Sequence, residues 1–352
     1  MLWKKGRSTL RILIDEFVTG GAWYATGDAP PPESLLDEGG AMLHATAADF
    51  AALRGARVEV TRDVRLGPCQ VPGVTTHVVR SARQSEQIAR SRAAGADWTL
   101  IIAPEFNGHL LGRCRLVEQA GGRLLGPAPP LVRLASDKQA TIEHLAAHGI
   151  PVPTGIRIVR GDRLPDDALY PAVLKPCDGA GSLGVRLIDS PGDLSDVADC
   201  DLRLETFCAG TPASVAILCG PRGMVPLMGC RQHIEQDGSF AYQGGSLPLE
   251  PMLAKRAVRL AMRAVETLES PFGYIGVDLV LGHDPRGAQD VVIEINPRVT
   301  TSYVGLRALC VGNLAAAMIA VAEGEQVELS WNEGPLQFEA AGRVWSGNEV
   351  AI

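Results

Sequence analysis

The chain has 352 residues, enough for two or three domains, and its formal net charge is −7 at neutral pH. This acidic balance argues against a basic nucleic-acid footprint, although a local basic cleft is compatible with it. No apolar run reaches the roughly 18 residues that a membrane helix needs. The eight cysteines are scattered without a CxxC pair, so neither a zinc site nor a disulfide framework is suggested. We therefore expect a cytoplasmic protein that partners neither nucleic acid nor a membrane.

The N-terminal third alternates between two kinds of segment. "LRILIDEF", "ARVEVTRDV" and "DWTLIIAPE" are typical of strands. "LLDEGGAMLHATAADFAALRG", "SEQIARSRAAGA" and "LLGRCRLVEQAGG" are typical of helices. Alternating strands and helices predict an open α/β sheet, which we place over residues 1–128.

The segment "GPAPPLVRLASDKQ" predicts a domain boundary, because Pro127, Pro129 and Pro130 interrupt the pattern. Ser136 is the expected N-cap of the following helix, "DKQATIEHLAAHG". Beyond it, strand-like segments with turns predominate, and one long helix, "MLAKRAVRLAMRAVETLES", interrupts them. We expect a small subdomain over residues 129–204 and a C-terminal subdomain over residues 205–352, so that the chain combines α/β with α+β architecture.

The glycine-rich stretch "GAGSLG", Gly179–Gly184, matches the dinucleotide fingerprint G-x-G-x-x-G. That fingerprint requires a helix after it, whereas the strand-like "VRLIDS" follows here, so a hairpin is favoured over the site of a Rossmann oxidoreductase. A Walker P-loop is excluded because no Lys-Ser/Thr follows the last glycine. Glycine backbone can approach a phosphate closely, and Lys175 on the preceding strand can reach the same phosphate. A solvent-exposed hairpin with a solvated lysine is the alternative.

Two carboxylates and an amide follow in neighbouring strand-like segments. Asp278 lies in "YIGVDLVLG", and Glu294 and Asn296 lie in "VIEINPR". The turn-forming "GHDPRGAQ" between them predicts an antiparallel hairpin, which would bring the three side chains together on one face. Buried carboxylates need a partner, and hard oxygen ligands suit Mg²⁺. A structural ion-pair cluster with Arg298 or Arg186 is the alternative.

In this order the motifs resemble those of the ATP-grasp superfamily. "SDKQATIEHLAAHGIPVP" is similar to the family's first-lysine helix, and "YPAVLKPCDGAGSLGV" to its second lysine and phosphate-covering loop. "LRLETFCAG" is similar to the hinge that holds adenine, and "GYIGVDLVL" and "VIEINPR" to the magnesium strands. The resemblance covers about residues 130–325. It implies an ATP-grasp fold behind an N-terminal, Rossmann-like pre-ATP-grasp domain.

The resemblance assigns the nucleotide to eight residues. Two lysines would contact its phosphates, the glycine loop would close over them, Glu205 would accept from the adenine amino group, and nearby backbone would read the ring edge. The full set is Lys138, Lys175, Gly181, Ser182, Gly184, Glu205, Phe207 and Cys208. Pro212 stands where many members place a glutamate for the ribose, so the ribose contact must come from elsewhere.

The resemblance also assigns the metal and the transferred phosphate. Asp278, Glu294 and Asn296 would hold Mg²⁺, with Mn²⁺ as the alternative ion. Arg298 would face the transferred phosphate or the acyl substrate, and Arg231 would steer phosphate from a neighbouring strand. The implied reaction is ATP-dependent joining of a carboxylate to an amine through an acylphosphate. No side-chain nucleophile is needed, so Cys177 is expected to be a packing residue.

Within the superfamily, "ILIDEFVTGGAW" and "EINPRVTTSYVGLRAL" look most like the tyramine–glutamate ligase group of methanofuran-type cofactor synthesis, which joins the γ-carboxylate of glutamate to an aromatic amine. Ligation of another amino acid or amine, or nucleotide binding by a regulatory protein without turnover, are the alternatives. A homodimer is the commonest arrangement where the sequence does not determine the oligomeric state.

Several residues are candidates for the small-molecule substrate site. Two acids at the predicted carboxyl ends of parallel strands are placed where open α/β sheets bind ligands, although either could be an ordinary loop acid. The glycine pair in "AYQGGSLPLE" could approach the substrate. The two residues soon after "VIEINPR" could contact the acceptor or simply pack. The candidates are Glu16, Glu105, Gly244, Gly245, Ser302 and Tyr303.

Overall fold

The computed structural model describes residues 9–27, 30–162, 164–165, 169–190, 200–346 and 349–351. Its N-terminal part is a parallel four-stranded sheet in the order β3-β2-β1-β4, flanked by helices. The elements are β1 (Leu10–Glu16), α1 (Glu33–Ala51), β2 (Ala56–Asp63), β3 (Val74–Val79), α2 (Ala82–Ala93), β4 (Trp98–Ile102) and α3 (His109–Gln119). The predicted open α/β sheet is thereby confirmed. Of the four strands of this sheet, only β3 has no counterpart among the predicted strands.

A small antiparallel sheet follows, in the order β5-β8-β6-β7. Its elements and the helices before it are α4 (Pro129–Ala135), α5 (Lys138–Ala147), β5 (Gly155–Ile158), β6 (Ala172–Pro176), β7 (Arg186–Ile188) and β8 (Leu202–Thr206). The glycine loop joins β6 to β7 as a hairpin, which agrees with the hairpin interpretation and not with a Rossmann unit. The expected boundary between residues 204 and 205 falls inside β8, so the hinge belongs to the small sheet.

Two local expectations before this sheet were wrong. Pro129 and Pro130 do not interrupt the chain but begin α4, because the first turn of a helix tolerates proline. The N-cap of α5 is Asp137, whose carboxylate accepts from the Ala140 amide at 3.0 Å. The Ser136 hydroxyl instead donates to the Val132 carbonyl at 2.7 Å.

The C-terminal part is a large antiparallel sheet in the order β14-β13-β9-β11-β12-β17-β18-β19, with β10 also paired to β9. Its elements begin with β9 (Thr211–Gly220), β10 (Gly223–Pro226), β11 (Cys230–Ile234), β12 (Tyr242–Leu247), α6 (Pro251–Glu266), β13 (Gly273–Leu281) and β14 (Val291–Asn296). They continue with α7 (Ser302–Leu309), β15 (Cys310–Val311), α8 (Leu314–Ala322), β16 (Ser330–Trp331), β17 (Leu336–Glu339), β18 (Val344–Ser346) and β19 (Glu349–Ala351). The predicted β13–β14 hairpin is confirmed, with Asp278 directly opposite Glu294.

Apolar packing joins these parts. Helix α6 covers one face of the large sheet, where Leu260 and Ala264 pack into the cluster that contains Ile217 and Ile275. A second cluster runs from the N-terminal sheet and α1 to α7, α8 and β17, so these elements share one core. Within the described part of the chain, no helix is long and apolar enough to cross a membrane. The shared core fixes α1 against the region where the two antiparallel sheets face each other.

Candidate active site

A cavity of about 560 Å³ lies between the small sheet and the large sheet. Its volume is in the range of small-molecule and cofactor sites. Eleven of the thirteen residues expected to bind nucleotide, metal or phosphate line it: Lys138, Lys175, Gly181, Ser182, Glu205, Phe207, Cys208, Asp278, Glu294, Asn296 and Arg298. Gly184 and Arg231 are not part of the lining. The fold thus brings together residues that are up to 160 positions apart in the chain.

The two lysines reach the cavity from different elements. Lys138 is the first residue of α5; its Nζ lies 2.7 Å from Glu294 Oε2 and donates to the Gly179 carbonyl at 2.7 Å. Burial lowers the pKa of Lys138, but the nearby carboxylates, Glu294 foremost, together outweigh burial and raise it, so the ammonium remains charged. Lys138 therefore links the strand that carries Glu294 to the glycine loop.

Lys175 lies on β6, and its side chain is almost fully buried. Its Nζ is 2.5 Å from Glu205 Oε1, yet it makes no well-aligned hydrogen bond within the described structure. An ammonium group has three donors. The buried donors of Lys175 are therefore suited to an anionic ligand in the cavity.

The glycine loop has an unusual backbone. Gly181, Ser182 and Gly184 all have positive φ values, of 61°, 57° and 74°. Glycine adopts this conformation readily, whereas Ser182 does so at a cost, which is typical of a functional loop. Gly184 turns the chain towards β7, where an added Cβ would lie 3.1 Å from Pro176 Cγ. Its glycine is thus explained by a close approach within the hairpin rather than by contact with the cavity.

Asp278 and Glu294 form a coupled carboxylate pair. Asp278 Oδ1 accepts from Gln232 Nε2 and Oδ2 accepts from Asn296 Nδ2, both at 3.0 Å. Burial, and then the charge of Glu294, raises the pKa of Asp278 to about 8. Burial also opposes ionisation of Glu294, but Lys138, Lys175 and the hydrogen bond with Asp278 together outweigh it and lower the pKa of Glu294. The pair therefore retains a proton at neutral pH unless a cation neutralises it.

This donor set fits a magnesium ion. Among the described residues, no group of three or more His, Cys, Asp or Glu side chains could hold a metal ion. Asp278, Glu294 and Asn296 offer two carboxylates and an amide, and Mg²⁺ is typically bound by one or two carboxylates together with substrate phosphates and water. The proton held by the carboxylate pair marks the place where a divalent cation would relieve like-charge repulsion.

The hinge region borders the far end of the cavity. Both carboxylate oxygens of Glu205 face cations, because Oε1 meets Lys175 and Oε2 accepts from Arg203 Nε at 2.7 Å. Phe207 is partly exposed, with its ring centroid 6.3 Å from that of Phe240. Burial raises the pKa of the Cys208 thiol, which keeps it protonated. Pro212 also lines the cavity, and no ribose contact follows from it.

The two candidate arginines differ in position. Arg298 lines the cavity and binds Glu105 as a fork, with Nε and Nη2 at 2.8 and 3.0 Å from the two carboxylate oxygens. Arg231 lies on β11 with its side chain partly exposed and paired to Glu250 at 2.7 Å. Because alternate residues of a strand face opposite sides, its neighbour Gln232 reaches the cavity instead. The structure does not bring Arg231 to the expected phosphate position.

Of the two acids at strand ends, only Glu105 approaches the cavity, through Arg298. The Glu16 carboxylate is turned inward and accepts from the backbone amides of Val18 and Thr19, at 3.0 and 2.5 Å. An added Cβ on Gly39 would lie 2.7 Å from Glu16 Oε1, so this carboxylate fills a space inside the N-terminal domain. Glu16, the last residue of β1, is therefore bound within its own domain and not at the cavity.

Of the remaining candidates for the substrate site, one lines the cavity and three do not. Ser302 lines the cavity, whereas the Tyr303 hydroxyl donates to Asp49 Oδ2 at 2.8 Å inside the core. Gly244 and Gly245 lie in β12 outside the cavity lining, and an added Cβ on Gly244 would lie 2.0 Å from the Phe338 carbonyl oxygen of β17. Their glycines are explained by the close approach of neighbouring strands, and the expected contact with substrate stays a prediction.

Sequence reasoning missed several polar residues of the cavity, among them Glu38, Gln232, Thr300 and Thr301. Gln232 adjoins Arg231, and strict strand alternation could have identified it once the facing side of β11 was known. The threonines directly follow "VIEINPR". Glu38 lies in the middle of α1, where no local pattern separates it from other acidic positions on a helix surface.

Two family models match consecutive parts of the chain. An ATP-grasp domain matches residues 135–302, and a pre ATP-grasp 3 domain matches residues 56–132. Together the two matches span most of the chain. The chain belongs to the ATP-grasp superfamily, as the sequence motifs predict, and its N-terminal sheet is the expected pre-ATP-grasp domain.

Among individual relatives, a tyramine–L-glutamate ligase of Methanocaldococcus jannaschii is 26% identical over 237 residues, which cover 67% of this chain and 66% of that ligase. The Methanocaldococcus fervens ligase of the same name is also 26% identical, over 66% of this chain and 68% of its own length. The alignments thus span about two thirds of each ligase. A putative ATP-grasp superfamily protein from Archaeoglobus fulgidus shares the fold, with a TM-score of 0.72, 22% identity and coverage of 94% and 92% of the two chains. Family and relatives together indicate an ATP-dependent C–N ligase.

Proposed function

We propose that the protein is an ATP- and Mg²⁺-dependent ligase that forms an amide from a carboxylate and an amine through an acylphosphate. We further propose glutamate, reacting at its γ-carboxylate, and tyramine or a similar aromatic amine as the substrates. The observation that carries the reaction class is the contact of Lys138 with both Glu294 and the glycine loop, which joins the proposed metal ligand to the proposed phosphate loop in one cavity. The similarity to two tyramine–L-glutamate ligases supports the substrate pair.

Nucleotide binding would use the residues already assigned to it. Lys138 and Lys175 would neutralise phosphate oxygens, and the Gly181–Ser182 segment would lie over them. At the other end, Glu205 would accept from the adenine amino group, and the backbone at Phe207 and Cys208 would meet the ring edge. A carboxylate oxygen has two lone-pair sites, so Glu205 can accept this bond while it remains paired with Lys175 and Arg203.

Asp278, Glu294 and Asn296 would hold Mg²⁺, which when bound supplies charge neutralisation at the phosphates. The chain's own cations add to that effect, because Lys138 and Lys175 face the same space. Their positions are fixed before substrate binds by the partners described above. Such preorganised charges stabilise developing negative charge without reorganisation during the reaction.

The chemistry has two balanced steps. In the first, a carboxylate oxygen of the substrate attacks the γ-phosphorus, the bond to the β–γ bridging oxygen breaks, and ADP leaves with that electron pair. In the second, the amine nitrogen attacks the acyl carbon, the bond to the phosphate oxygen breaks, and inorganic phosphate leaves while the nitrogen loses a proton. Arg298, held rigidly by Glu105, would stabilise the transferred phosphoryl group. Positioning and charge neutralisation account for catalysis, without a covalent enzyme intermediate.

The test is ADP release by the purified protein with ATP, Mg²⁺, glutamate and a panel of amines. We expect release that depends on both an acid and an amine, with γ-glutamyl amide detected by mass spectrometry. If ATP binds tightly but no acid or amine stimulates ADP release, the ligase function is refuted and a nucleotide-binding role without turnover takes its place. Product with another amino acid or amine would retain the reaction and correct the substrates.

A further inference from the structure

Glu38 occupies a distinctive place in the cavity. Among the described residues of the lining, it alone belongs to the N-terminal domain, since all the others lie at Lys138 or later in the chain. It projects from α1. An added Cβ on Gly181 would lie 3.8 Å from Glu38 Oε1, so this carboxylate borders the loop that is proposed to cover the terminal phosphates.

The charges around Glu38 are unbalanced. The described lining contains three cations, and each already has a carboxylate partner: Lys138 with Glu294, Lys175 with Glu205, and Arg298 with Glu105. Glu38 takes part in none of these pairs, and no other cation of the described structure lies within ion-pair distance of it. The Thr301 side chain favours the charged form of Glu38.

Partial burial makes the unpaired charge of Glu38 less favourable still. Burial raises the pKa of Glu38, and the more distant charge of Arg298 only partly offsets that effect. A carboxylate that is partly withdrawn from water gains most from a cation that enters with the substrate. The hydroxyl groups of Thr300, Thr301 and Ser302 line the same cavity and can accept the remaining N–H donors of an ammonium group.

We propose that Glu38 binds the ammonium group of an amino substrate next to the γ-phosphate of ATP. The assignment deepens the proposed ligase function and rests on it for the identity of the substrates. The cationic nitrogen belongs either to the α-ammonium of the amino acid that supplies the carboxylate or to the amine that receives the acyl group. In both cases Glu38 selects a substrate with a positive charge at this position.

The experiment compares Glu38→Gln with the matched control Asp37→Asn. Both residues lie on α1, but Asp37 is exposed and is not part of the lining. Calorimetry would measure binding of glutamate, glutarate, tyramine and 4-ethylphenol in the presence of Mg²⁺ and a non-hydrolysable ATP analogue. We expect Glu38→Gln to weaken binding of one amino substrate about 10- to 100-fold, the range for loss of a charged hydrogen bond. Asp37→Asn should leave it unchanged, and neither variant should alter affinity for the ATP analogue.

The compounds without nitrogen identify the source of the ammonium. If Glu38 binds the α-ammonium, the wild-type preference for glutamate over glutarate disappears in Glu38→Gln while tyramine binding is unchanged. If it binds the acceptor, the preference for tyramine over 4-ethylphenol disappears instead. Unchanged binding of both amino substrates in a folded Glu38→Gln variant overturns the assignment, as does failure of the wild type to bind either one. Because binding is read without turnover, absence of ADP release would refute the ligase and leave the Glu38 assignment intact.

Discussion

Glu294 is the residue on which the interpretation of the metal site depends. Without the glycine loop, the sequence is as consistent with a structural ion pair to Arg298 or Arg186 as with a metal site; the glycine loop favours the metal site. In the structure Arg298 is committed to Glu105, and Glu294 lies between Asp278 and Lys138. A purely structural ion pair does not need a second carboxylate that opposes ionisation of the first. The arrangement therefore favours a role in binding a cation.

Replacing Glu294 with glutamine tests this interpretation. We expect turnover to fall by at least about 100-fold, as when one strong electrostatic contact to the transition state is lost. Stability should change little, because the amide oxygen can still accept from Lys138 and repulsion with Asp278 is removed. ADP release and thermal unfolding provide the two measurements. Strong destabilisation together with retained turnover would support the structural ion pair instead.

Arg231 and Arg298 offer a second comparison at the residue scale. Arg231→Ala breaks an exposed pair with Glu250, which contributes at most about 1 kcal/mol, and should leave steady-state kinetics unchanged. Arg298→Lys keeps the charge but loses the fork to Glu105, and we expect turnover to fall about 10-fold or more. If Arg231→Ala were instead the more damaging change, the original expectation that Arg231 steers phosphate would be restored.

At the scale of elements, the sequence predicted best what short-range pattern determines. The hairpins β6–β7 and β13–β14 each combine alternating apolar residues with a turn-rich connection, and both form as expected. Strand β12 was not predicted, because Gly244 and Gly245 have low strand propensity. Their reason is non-local: the β17 backbone approaches Gly244, and the β11 backbone approaches Gly245, so closely that a side chain would not fit.

At the site, too, short-range pattern could be read from the sequence and non-local packing could not. Residues inside contiguous motifs, such as Lys175 and Asn296, could be assigned from the sequence. Glu38 could not, because only the packing of α1 against α7 and α8 determines which turn of that helix meets the cavity. On β11 the resemblance assigns phosphate steering to Arg231, whereas its neighbour Gln232 is the residue that lines the cavity.

The glycine loop supports a prediction of its own. Gly181→Ala places a side chain on a backbone with φ of 61°, 3.4 Å from Leu35 of α1, and should strain the loop by about 1–2 kcal/mol. Gly149→Ala is the matched control, because Gly149 has φ of 70° and open space around it, but lies outside the cavity. Both variants should lose similar stability, whereas only Gly181→Ala should raise the KM for ATP, about fivefold or more. If the two variants have the same KM for ATP, the loop does not take part in nucleotide binding.

At the scale of the whole molecule, one buried residue joins the N-terminal domain to the helices beside the cavity. Asp49 of α1 accepts from the Tyr303 hydroxyl at 2.8 Å and from Arg307 Nη2 at 2.6 Å. Its backbone carbonyl accepts from Asn313 Nδ2 at 2.8 Å. These contacts hold α7, which begins at Ser302 on the cavity wall, and the N-cap of α8. The apolar cluster around them is continuous from β1 to β17.

Asp49→Asn should therefore act on the entire molecule. The asparagine amide carries no charge to bind Arg307, and its NH₂ group would face the donors of Tyr303 or Arg307. We therefore expect a loss of about 2–4 kcal/mol in the free energy of unfolding. Tyr303→Phe, which removes a single hydroxyl, should cost about 1 kcal/mol.

Calorimetry should show one transition that shifts as a whole, because the two parts share a core. Since α7 directly follows Thr301, which lines the cavity together with Glu38, the KM for the amino substrate should rise more than that for ATP. Two separate transitions, of which only one moves, would show that the N-terminal sheet folds independently and that Asp49 does not connect it to the cavity.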